Sequence, residues 1–186
     1  MPDDALRALL RAYSPAVDAE AADVARVDAI IAAGRPWDRA TPLRVTASGV
    51  IVHPPTRRVL LRWHERQQAW LQIGGHGDPG EDDPVAVALR EGAEETGLTD
   101  LVPWPDRSLR HVAVVPVPAK GDDPAHEHAD LRFFLATAEP DSARPEHARA
   151  DVRWLSVDDA LDLTCEENVR ETIRRADRTL DRQSSR

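Results

Sequence analysis

The chain has 186 residues, a formal net charge of −9 and a sequence pI near 5.2. This length suits one domain with a proper hydrophobic core and is short for two. A hydrophobic fraction of 41% is typical of a folded chain rather than a disordered one. The acidic balance argues against a nucleic-acid-binding surface or an anionic-membrane-binding surface.

The composition also limits where the protein works. A single cysteine excludes an internal disulfide and zinc sites made of cysteines. The N-terminus has no basic region followed by an apolar run, and no apolar stretch approaches the length needed to span a membrane. We therefore expect a cytoplasmic protein with no membrane partner.

Residues 1–40 predict a helical extension made of two helices. Apolar side chains recur there at helical spacing. They are Leu6, Leu9, Leu10 and Tyr13 in the first helix and Val24, Val27, Ile30 and Ile31 in the second. The pair can serve as a lid, as a contact in a homodimer or as plain packing, and we favour packing.

Residues 41–186 predict a second unit, a domain of strands and helices. The segment 43–53 is rich in β-branched and small residues, which indicates a strand. Turn residues at 54–58 and an apolar run at 59–63 complete a hairpin. Residues 70–73 predict a short strand that leads into a glycine-rich turn.

The glycine-rich turn at residues 74–81 precedes a helix. Asp82 or Asp83 can cap this helix, and Pro84 suits its first position. One apolar stripe of the helix is predicted to be buried. Its members are Val85, Leu89, Gly92 and Thr96.

Glu91, Glu94 and Glu95, here called the helix glutamates, lie on one face of this helix because their spacing is i, i+3 and i+4. Like charges at that spacing destabilise an isolated helix. A bound Mg²⁺ or Mn²⁺ ion would offset the cost, since these ions prefer carboxylate oxygens. The alternative is a solvated acidic face. We favour the metal site.

The sequence R-E-G-A-E-E-T-G-L at residues 90–98 resembles the box of the Nudix superfamily, G-x5-E-x7-R-E-U-x-E-E-x-G-U, in which U is a bulky aliphatic residue. The matching positions are Arg90, Glu91, Glu94, Glu95, Gly97 and Leu98. Gly92 stands where the box has an aliphatic residue. Because a helical glycine costs about 1 kcal/mol relative to alanine, we expect Gly92 to allow close packing against a neighbouring element. The resemblance covers about residues 43–163.

The turn before the helix admits two alignments with this box. Counting forward from Gly75 places Glu81 at the first glutamate and leaves one extra residue before Arg90. Counting back from Arg90 instead places Asp82 at the glutamate and His76 at the glycine. We favour the first alignment, because a turn tolerates an extra residue better than a helix does.

The rest of the chain predicts more strands and two helices. Residues 111–117 are apolar on both faces, which indicates a central strand, and 131–138 and 152–155 predict two further strands. Ser156 begins a capped helix, and the last helix opens with a capping box at Thr164–Glu167. Its predicted buried residues are Val169, Ile173, Ala176 and Leu180. This order favours an α/β fold with a mixed sheet, and the Nudix resemblance implies an α/β/α sandwich.

The resemblance also implies roles for individual residues. The implied metal ligands are Gly75, through its backbone carbonyl, and Glu91, Glu94 and Glu95, with Glu81 as an outer ligand. The implied catalytic residues are Glu91, Glu94 and Arg90. Among the glutamates, Glu91 is our first choice for the base that takes a proton from water. The planar fork of Arg90 suits pairing with neighbouring carboxylates and orienting them.

A second group of polar residues follows at 126–130. If this segment is extended, His126, His128 and Asp130 share one face; if it loops, Glu127 competes for the same role. Such residues can bind a metal, act as a base or contact phosphate. Nudix enzymes often draw a residue of this kind from outside the box, so His126, Glu127 and His128 are candidate substrate contacts.

Two residues nearer the box are also candidate substrate contacts. His76 lies beside the glycine-rich turn and can contact phosphate. Trp70 can stack on a base, although a tryptophan next to a short strand is more often a core residue.

The leading functional hypothesis is a metal-dependent hydrolase that cleaves a diphosphate linkage in a nucleoside diphosphate derivative or related nucleotide. The alternative is a non-catalytic ligand-sensing module on the Nudix fold. Such modules commonly erode the box acids, which are all present here. An isoprenoid diphosphate isomerase on this fold needs a pocket cysteine, and Cys165 lies late, on a predicted helix. Because specificity comes from loops outside the box, the sequence predicts a small-molecule substrate without naming it.

Overall fold

The computed structural model describes residues 4–34 and 36–185. Residues 1–3, in which we expected no targeting segment, lie outside the described residues, as do Arg35 of the predicted extension and Arg186 of the predicted domain. The helices described are α1 (Asp4–Ala12), α2 (Asp18–Ala32), α3 (Pro84–Thr96), α4 (Val157–Leu163) and α5 (Glu167–Ser184). The strands are β1 (Leu43–His53), β2 (Arg58–His64), β3 (Ala69–Leu71), β4 (Ile73–Gly75), β5 (Val102–Pro103), β6 (His111–Val117), β7 (His126–Ala136) and β8 (Val152–Ser156). None of the described helices combines the length and the apolar character that crossing a membrane requires.

The strands form one mixed sheet around β1. This strand runs parallel to β7, from Leu43 opposite Glu127 to Val52 opposite Ala136. On its other side β1 pairs antiparallel with β2 near one end and with β4 nearer the middle. The sheet continues from β2 to β3 and β8, and from β7 to β5 and β6. The mixed sheet and the first predicted strand are therefore confirmed.

Helices cover both faces of the sheet. Successive side chains of β1 point to opposite faces, and since they are apolar on both, each face needs a covering layer. Ala47 and Ile51 join a core cluster with α1, α2 and α3, whereas Val50 and Val52 join a second cluster with α4 and α5. The buried helix residues include Leu6, Leu10, Val27 and Ile31 in the first cluster and Ala160, Val169, Ile173 and Ala176 in the second. The architecture is the expected α/β/α sandwich.

An ion pair between Glu20 and Arg175 connects the N-terminal helices to the last helix. Glu20 of α2 is 4% exposed and accepts hydrogen bonds from Arg175 of α5, the Tyr13 hydroxyl and the backbone amides of Ala16 and Val112. Burial by itself raises the pKa of Glu20, but the hydrogen bonds from Arg175 and Tyr13 outweigh it and lower the pKa to about 2. These contacts show that the helices pack against the sheet as an integral layer.

Strand β6 lies at an edge, so the prediction of a central strand at residues 111–117 is wrong. In the part of the chain that the structure describes, β6 pairs with β7 alone. Carboxylates of α2 meet its other edge, where the amides of Val112 and Val114 donate to Glu20 and Asp23. One face of the segment packs in the first core cluster, and the other places His111 against Thr172 of α5. Side chains rather than another strand satisfy its outer amides.

Three other element predictions are corrected. The single strand expected at 70–73 is wrong, because β3 pairs with β2 and β4 pairs with β1. The strand expected at 131–138 begins earlier, at His126, because the preceding residues pair with β1 and β6. The capping box of the last helix is wrong as well: Thr164 ends α4, and Glu166 precedes α5 without a side-chain cap.

Candidate functional site

Helix α3, which carries the helix glutamates, has clear start and stop residues. The carboxylate of Asp83 caps it by accepting the Val85 amide at 3.0 Å, and Pro84 occupies the first position. Gly97 ends the helix in the left-handed conformation, with φ at 68°. Of the two predicted caps Asp83 is the one used, and Asp82 is exposed.

Gly92 allows α3 to lie close to the sheet. A Cβ atom built at Gly92 would lie 2.8 Å from a methyl group of Leu101 and 3.5 Å from methyl groups of Ile73 and Leu135. The expected close packing is therefore confirmed. Of the predicted buried stripe, Val85, Gly92 and Thr96 are buried and Leu89 is half-buried.

Arg90 connects the glycine-rich turn to α3. Its Nε and Nη2 atoms donate to the two carboxylate oxygens of Glu81 at 3.1 and 3.0 Å. Nη2 also donates to the His76 carbonyl, and Nη1 donates to Glu91 and Glu94, each at 3.0 Å. One planar guanidinium thus fixes the turn and two carboxylates together. The hydrogen bonds from Arg90 lower the pKa of Glu81.

These contacts favour the box alignment that starts at Gly75. Glu81, not the exposed Asp82, is the acid that Arg90 holds. A Cβ atom at Gly75 would lie 2.6 Å from Cδ of Glu91, so the carboxylate packs directly on the glycine backbone. A side chain at this position would displace the Glu91 carboxylate. The extra residue therefore lies in the turn before the helix.

Glu95 lies on the buried side of α3. It is 7% exposed, accepts the Gly74 amide at 3.1 Å and forms an ion pair with Arg62 of β2 at 2.6 Å. Burial raises the pKa of Glu95 to about 7, and burial also raises the pKa of Glu91. Two of the helix glutamates therefore sit where solvent stabilises their charge poorly.

Arg62 brings in a carboxylate from outside the box, which sequence reasoning missed. Its second terminal nitrogen lies 3.7 Å from Glu146, an exposed residue on the loop between β7 and β8. The sequence signal for Arg62 was a charged residue inside the otherwise apolar run at 59–63. Glu146 carries no motif, because the fold alone brings its loop to the helix glutamates.

The donor set suits a hard divalent cation. Mg²⁺ and Mn²⁺ prefer carboxylate and carbonyl oxygens, which the helix glutamates and the Gly75 backbone supply. Among residues 4–34 and 36–185, no three acidic, histidine or cysteine side chains are already gathered around one point. Arg90 and Arg62 hold the carboxylates in ion pairs. A cation would compete with these arginines and would offset the cost of burying carboxylate charge.

A cavity of about 240 Å³ opens beside the glycine-rich turn, and its lining includes Ser48, Gln72, His76, His128, Asp130 and Asn168. Asp130 is 7% exposed and accepts hydrogen bonds from Thr46, Ser48 and Arg132 at 3.0, 2.8 and 2.7 Å. Burial raises the pKa of Asp130, but the Arg132 charge and these hydrogen bonds outweigh it and lower the pKa. The Asp130 carboxylate is thus ionised, has its hydrogen bonds supplied by neighbouring side chains and forms part of the cavity wall.

The polar atoms left for a ligand belong to other residues of the wall. Burial lowers the pKa of both His76 and His128 to about 4, so their rings are neutral near pH 7. The two rings meet edge to face, with centroids 4.6 Å apart. Nε2 of His76 and Oε1 of Gln72 have no hydrogen-bond partner in the described part of the chain. These two atoms are the natural contacts for a bound molecule.

The other three candidate substrate residues are not in this lining. His126 is 7% exposed on β7, which confirms the extended reading of its segment. Glu127 lies between His126 and His128 on β7, so its side chain points to the opposite face of the sheet, where it pairs with Arg26 of α2. Trp70 is half-buried and packs against the second core cluster. The guanidinium of Arg153 stacks over its ring, 4.4 Å from the ring centroid.

Two residues ahead of β1 hold the glycine-rich turn from outside. The ring of Trp37 packs on Gly77, where an added Cβ atom would lie 3.0 Å from the ring. Arg39 donates to the Gly77 carbonyl at 3.0 Å and lies 3.7 Å from Asp78. No motif marks these contacts in the sequence, since they form only when the chain returns over the turn.

Several solved structures share this fold. The dihydroneopterin triphosphate pyrophosphohydrolase of E. coli is 21% identical, with 69% of this chain and 91% of that one covered and a TM-score of 0.55. The C. elegans Ap4A hydrolase in a binary complex is 22% identical, with 74% and 97% covered and a TM-score of 0.58. The NUDIX domain of Shewanella oneidensis NrtR, complexed with ADP ribose, is 17% identical, with 73% and 87% covered and a TM-score of 0.53. At these identities the likeness shows the fold alone.

A comparison with curated proteins found no significant match. The NUDIX domain family, in contrast, matches residues 42–176, which is most of the chain. The matched range begins after the N-terminal helices and includes the turn, the helix glutamates and the cavity lining. The chain therefore belongs to the NUDIX domain family.

Proposed function

We propose that this protein is a metal-dependent pyrophosphohydrolase, which cleaves a diphosphate linkage in a nucleoside diphosphate derivative or related nucleotide by water attack on phosphorus. The observation that carries the proposal is the Arg90 assembly, in which one guanidinium holds Glu81, Glu91 and Glu94 beside Gly75. Oriented acids beside a cavity suit catalysis at a charged linkage. Family membership supports the same reaction class.

Mg²⁺ or Mn²⁺ is the proposed cofactor. The Gly75 carbonyl and the helix glutamates would hold it, with Glu81 as an outer ligand. When bound, such an ion withdraws charge from the diphosphate oxygens and makes a neighbouring water more acidic. The arginine contacts that the ion does not replace would keep those side chains oriented.

Within the chain itself, Glu91 is the proposed base. Its carboxylate packs on Gly75 and accepts a hydrogen bond from Arg90, so its position is fixed at the junction of turn and helix. In this role Glu91 takes the proton of the attacking water. Arg90 acts as a positioning residue for Glu91 and Glu94.

The cavity beside the turn is the proposed substrate site. Neutral His76 offers Nε2, which has no hydrogen-bond partner among the described residues, to a phosphate or a base, and His128 offers the ring nitrogen that does not contact His126. His126 supports His128 from behind, with their Nε2 atoms 3.1 Å apart. We assign no substrate contact to Glu127 or Trp70, because their partners lie away from the cavity.

A ligand-sensing module without catalysis is the alternative. One observation favours it: Arg90 and Arg62 already neutralise the carboxylates that a metal would need. Both functions include binding of a small nucleotide, but only the hydrolase turns it over. Metal-dependent turnover therefore distinguishes the two.

The test is a mixed panel of nucleotide sugars, ADP-ribose, dinucleoside polyphosphates and nucleoside triphosphates, incubated with Mg²⁺ or Mn²⁺ and read out by product mass. We expect a nucleoside monophosphate or a phosphorylated partner to form, and EDTA to suppress it. A matched reaction with the Glu91→Gln variant controls for contaminating phosphatases. Ligand binding without any turnover across the panel would support the sensing module instead.

The box alignment leads to a separate prediction about three neighbouring acids. Glu81→Gln should lower turnover by about tenfold or more, because it loosens the Arg90 assembly. Asp82→Asn should be nearly neutral, since Asp82 is exposed. Asp83→Ala should keep activity and lower stability by about 1 kcal/mol, because it removes the helix cap. Steady-state rates and thermal melts of the three variants provide the measurement, and a larger activity loss in Asp82→Asn than in Glu81→Gln would reverse the alignment.

A further inference from the structure

A basic cleft lies at the end of β2, separate from the turn that carries Gly75. Its volume is about 530 Å³, and its lining consists of Arg62, His64, Glu65, Arg66, Gln68 and Lys120. The acid among them, Glu65, already pairs with Arg149 at 3.2 Å. Lys120 is the only lysine in the sequence, whose net charge is −9. Positive charge concentrated on an acidic protein indicates a site for anions.

Arg62 forms the buried end of the cleft. The residue is 8% exposed, and its Nη1 atom pairs with Glu95 at 2.6 Å. Its Nε atom has no hydrogen-bond partner among residues 4–34 and 36–185. A buried donor without an acceptor is costly, and more so on a charged group. An anionic oxygen in the cleft would supply the missing acceptor.

The other donors of the cleft are more accessible. Lys120 and Arg66 are exposed, and Arg66 has only two long contacts, with the Pro118 carbonyl at 3.4 Å and with Asp123 at 3.9 Å. Nδ1 of His64 accepts the Gln67 amide at 3.2 Å, so the neutral ring carries its proton on Nε2 and can donate from there. Three side chains besides Arg62 can therefore meet the oxygens of one extended anion.

The cleft adjoins both the proposed metal site and the substrate cavity. Arg62 contacts Glu95, and His64 and Arg66 line both the cleft and the cavity. A phosphate chain that leaves the helix glutamates and passes Arg62 would run along these donors. We infer that the cleft binds the terminal phosphates of a nucleotide with at least three consecutive phosphates. This inference rests on the proposed function and specifies its substrate class.

Binding of inorganic tripolyphosphate, with orthophosphate for comparison, tests the cleft without turnover. Isothermal titration calorimetry on the full chain in EDTA gives both Kd values. We expect tripolyphosphate to bind about tenfold or more tightly than orthophosphate, because it meets several donors at once, and ATP to compete with it. Absence of tripolyphosphate binding, or binding that ATP does not displace, would overturn the inference.

Variants show whether the cleft itself holds the anion. Arg66→Ala and Lys120→Ala change exposed side chains, so the fold should persist, and each should weaken tripolyphosphate binding about tenfold. Lys120→Arg should restore most of the affinity. Arg58→Ala, an exposed arginine at the other end of β2, removes the same charge and should leave the Kd unchanged. Equal weakening by Arg58→Ala would mean a response to net charge and would overturn the assignment.

The outcome is separable from that of the hydrolase test. Turnover of a diphosphate-linked nucleotide together with no tripolyphosphate binding would overturn the cleft assignment and leave the hydrolase function standing. Tripolyphosphate binding that depends on Arg66 and Lys120, together with no metal-dependent turnover, would support the cleft and contradict the hydrolase function.

Discussion

Replacing Glu91 with glutamine is expected to lower kcat by about 10²–10⁴-fold, with a much smaller change in KM. The amide keeps the volume of the carboxylate and its place against Gly75, but it cannot accept a proton from water. The loss should therefore fall on the transition state rather than on substrate binding. Steady-state kinetics with the best substrate from the panel provide the measurement.

A matched substitution at a surface ion pair away from the helix glutamates controls for the loss of one carboxylate charge. Glu127→Gln breaks a surface pair with Arg26 and should leave kcat near the wild-type value. Glu146→Gln and His128→Ala test the residues outside the box that lie nearest to the proposed chemistry. If either of them abolishes kcat while Glu91→Gln is mild, the base lies outside the box.

Replacing Glu20 with glutamine is expected to destabilise the fold by about 3 kcal/mol. The change leaves the half-buried Arg175 with Glu171 as its remaining acidic partner, 2.9 Å away. It also weakens the contacts that hold the N-terminal helices to β6 and α5. Urea unfolding near pH 7 gives the free energy of unfolding, and Glu127→Gln is the control because its ion pair is exposed and contributes about 1 kcal/mol or less.

The same residue predicts how stability depends on pH. The pKa of Glu20 is about 2 in the folded protein and 4.5 in its ordinary state. Its contribution is therefore fully present above about pH 4.5 and is lost as the pH falls from there toward 2, since the unfolded chain binds the proton more readily. Wild type should lose more stability between pH 5 and pH 3 than Glu20→Gln does. Parallel pH profiles for the two proteins would show that Glu20 is not the titrating group.

The local elements follow from local patterns. The strand at residues 43–53 was predictable because β-branched and small residues dominate it. The bounds of α3 followed from Pro84 at its start and Gly97 at its end, which act on the backbone next to them. The close packing at Gly92 was also predictable, because a helical glycine has few other uses.

Contacts between distant segments were decided only by the tertiary structure. A strand apolar on both faces was predicted to be central, but β6 lies at an edge because α2 supplies the acceptors for its amides. The pairing of β7 with β1 fixed His128 in the cavity wall and sent Glu127 to the opposite face. Neither outcome depends on residues adjacent in sequence.

In the candidate site, too, some features follow from local sequence and others from tertiary contacts. Glu91, Glu94 and Glu95 share a helical face because of their spacing, which is a property of the sequence alone. Their partners Arg62 and Glu146 come from a strand and a loop that only the folded sheet brings to α3. Burial against these segments, rather than the identity of the side chain, raises the pKa of Glu95 to about 7. Local spacing determined which groups can act together, and long-range packing determined the charge environment in which they do so.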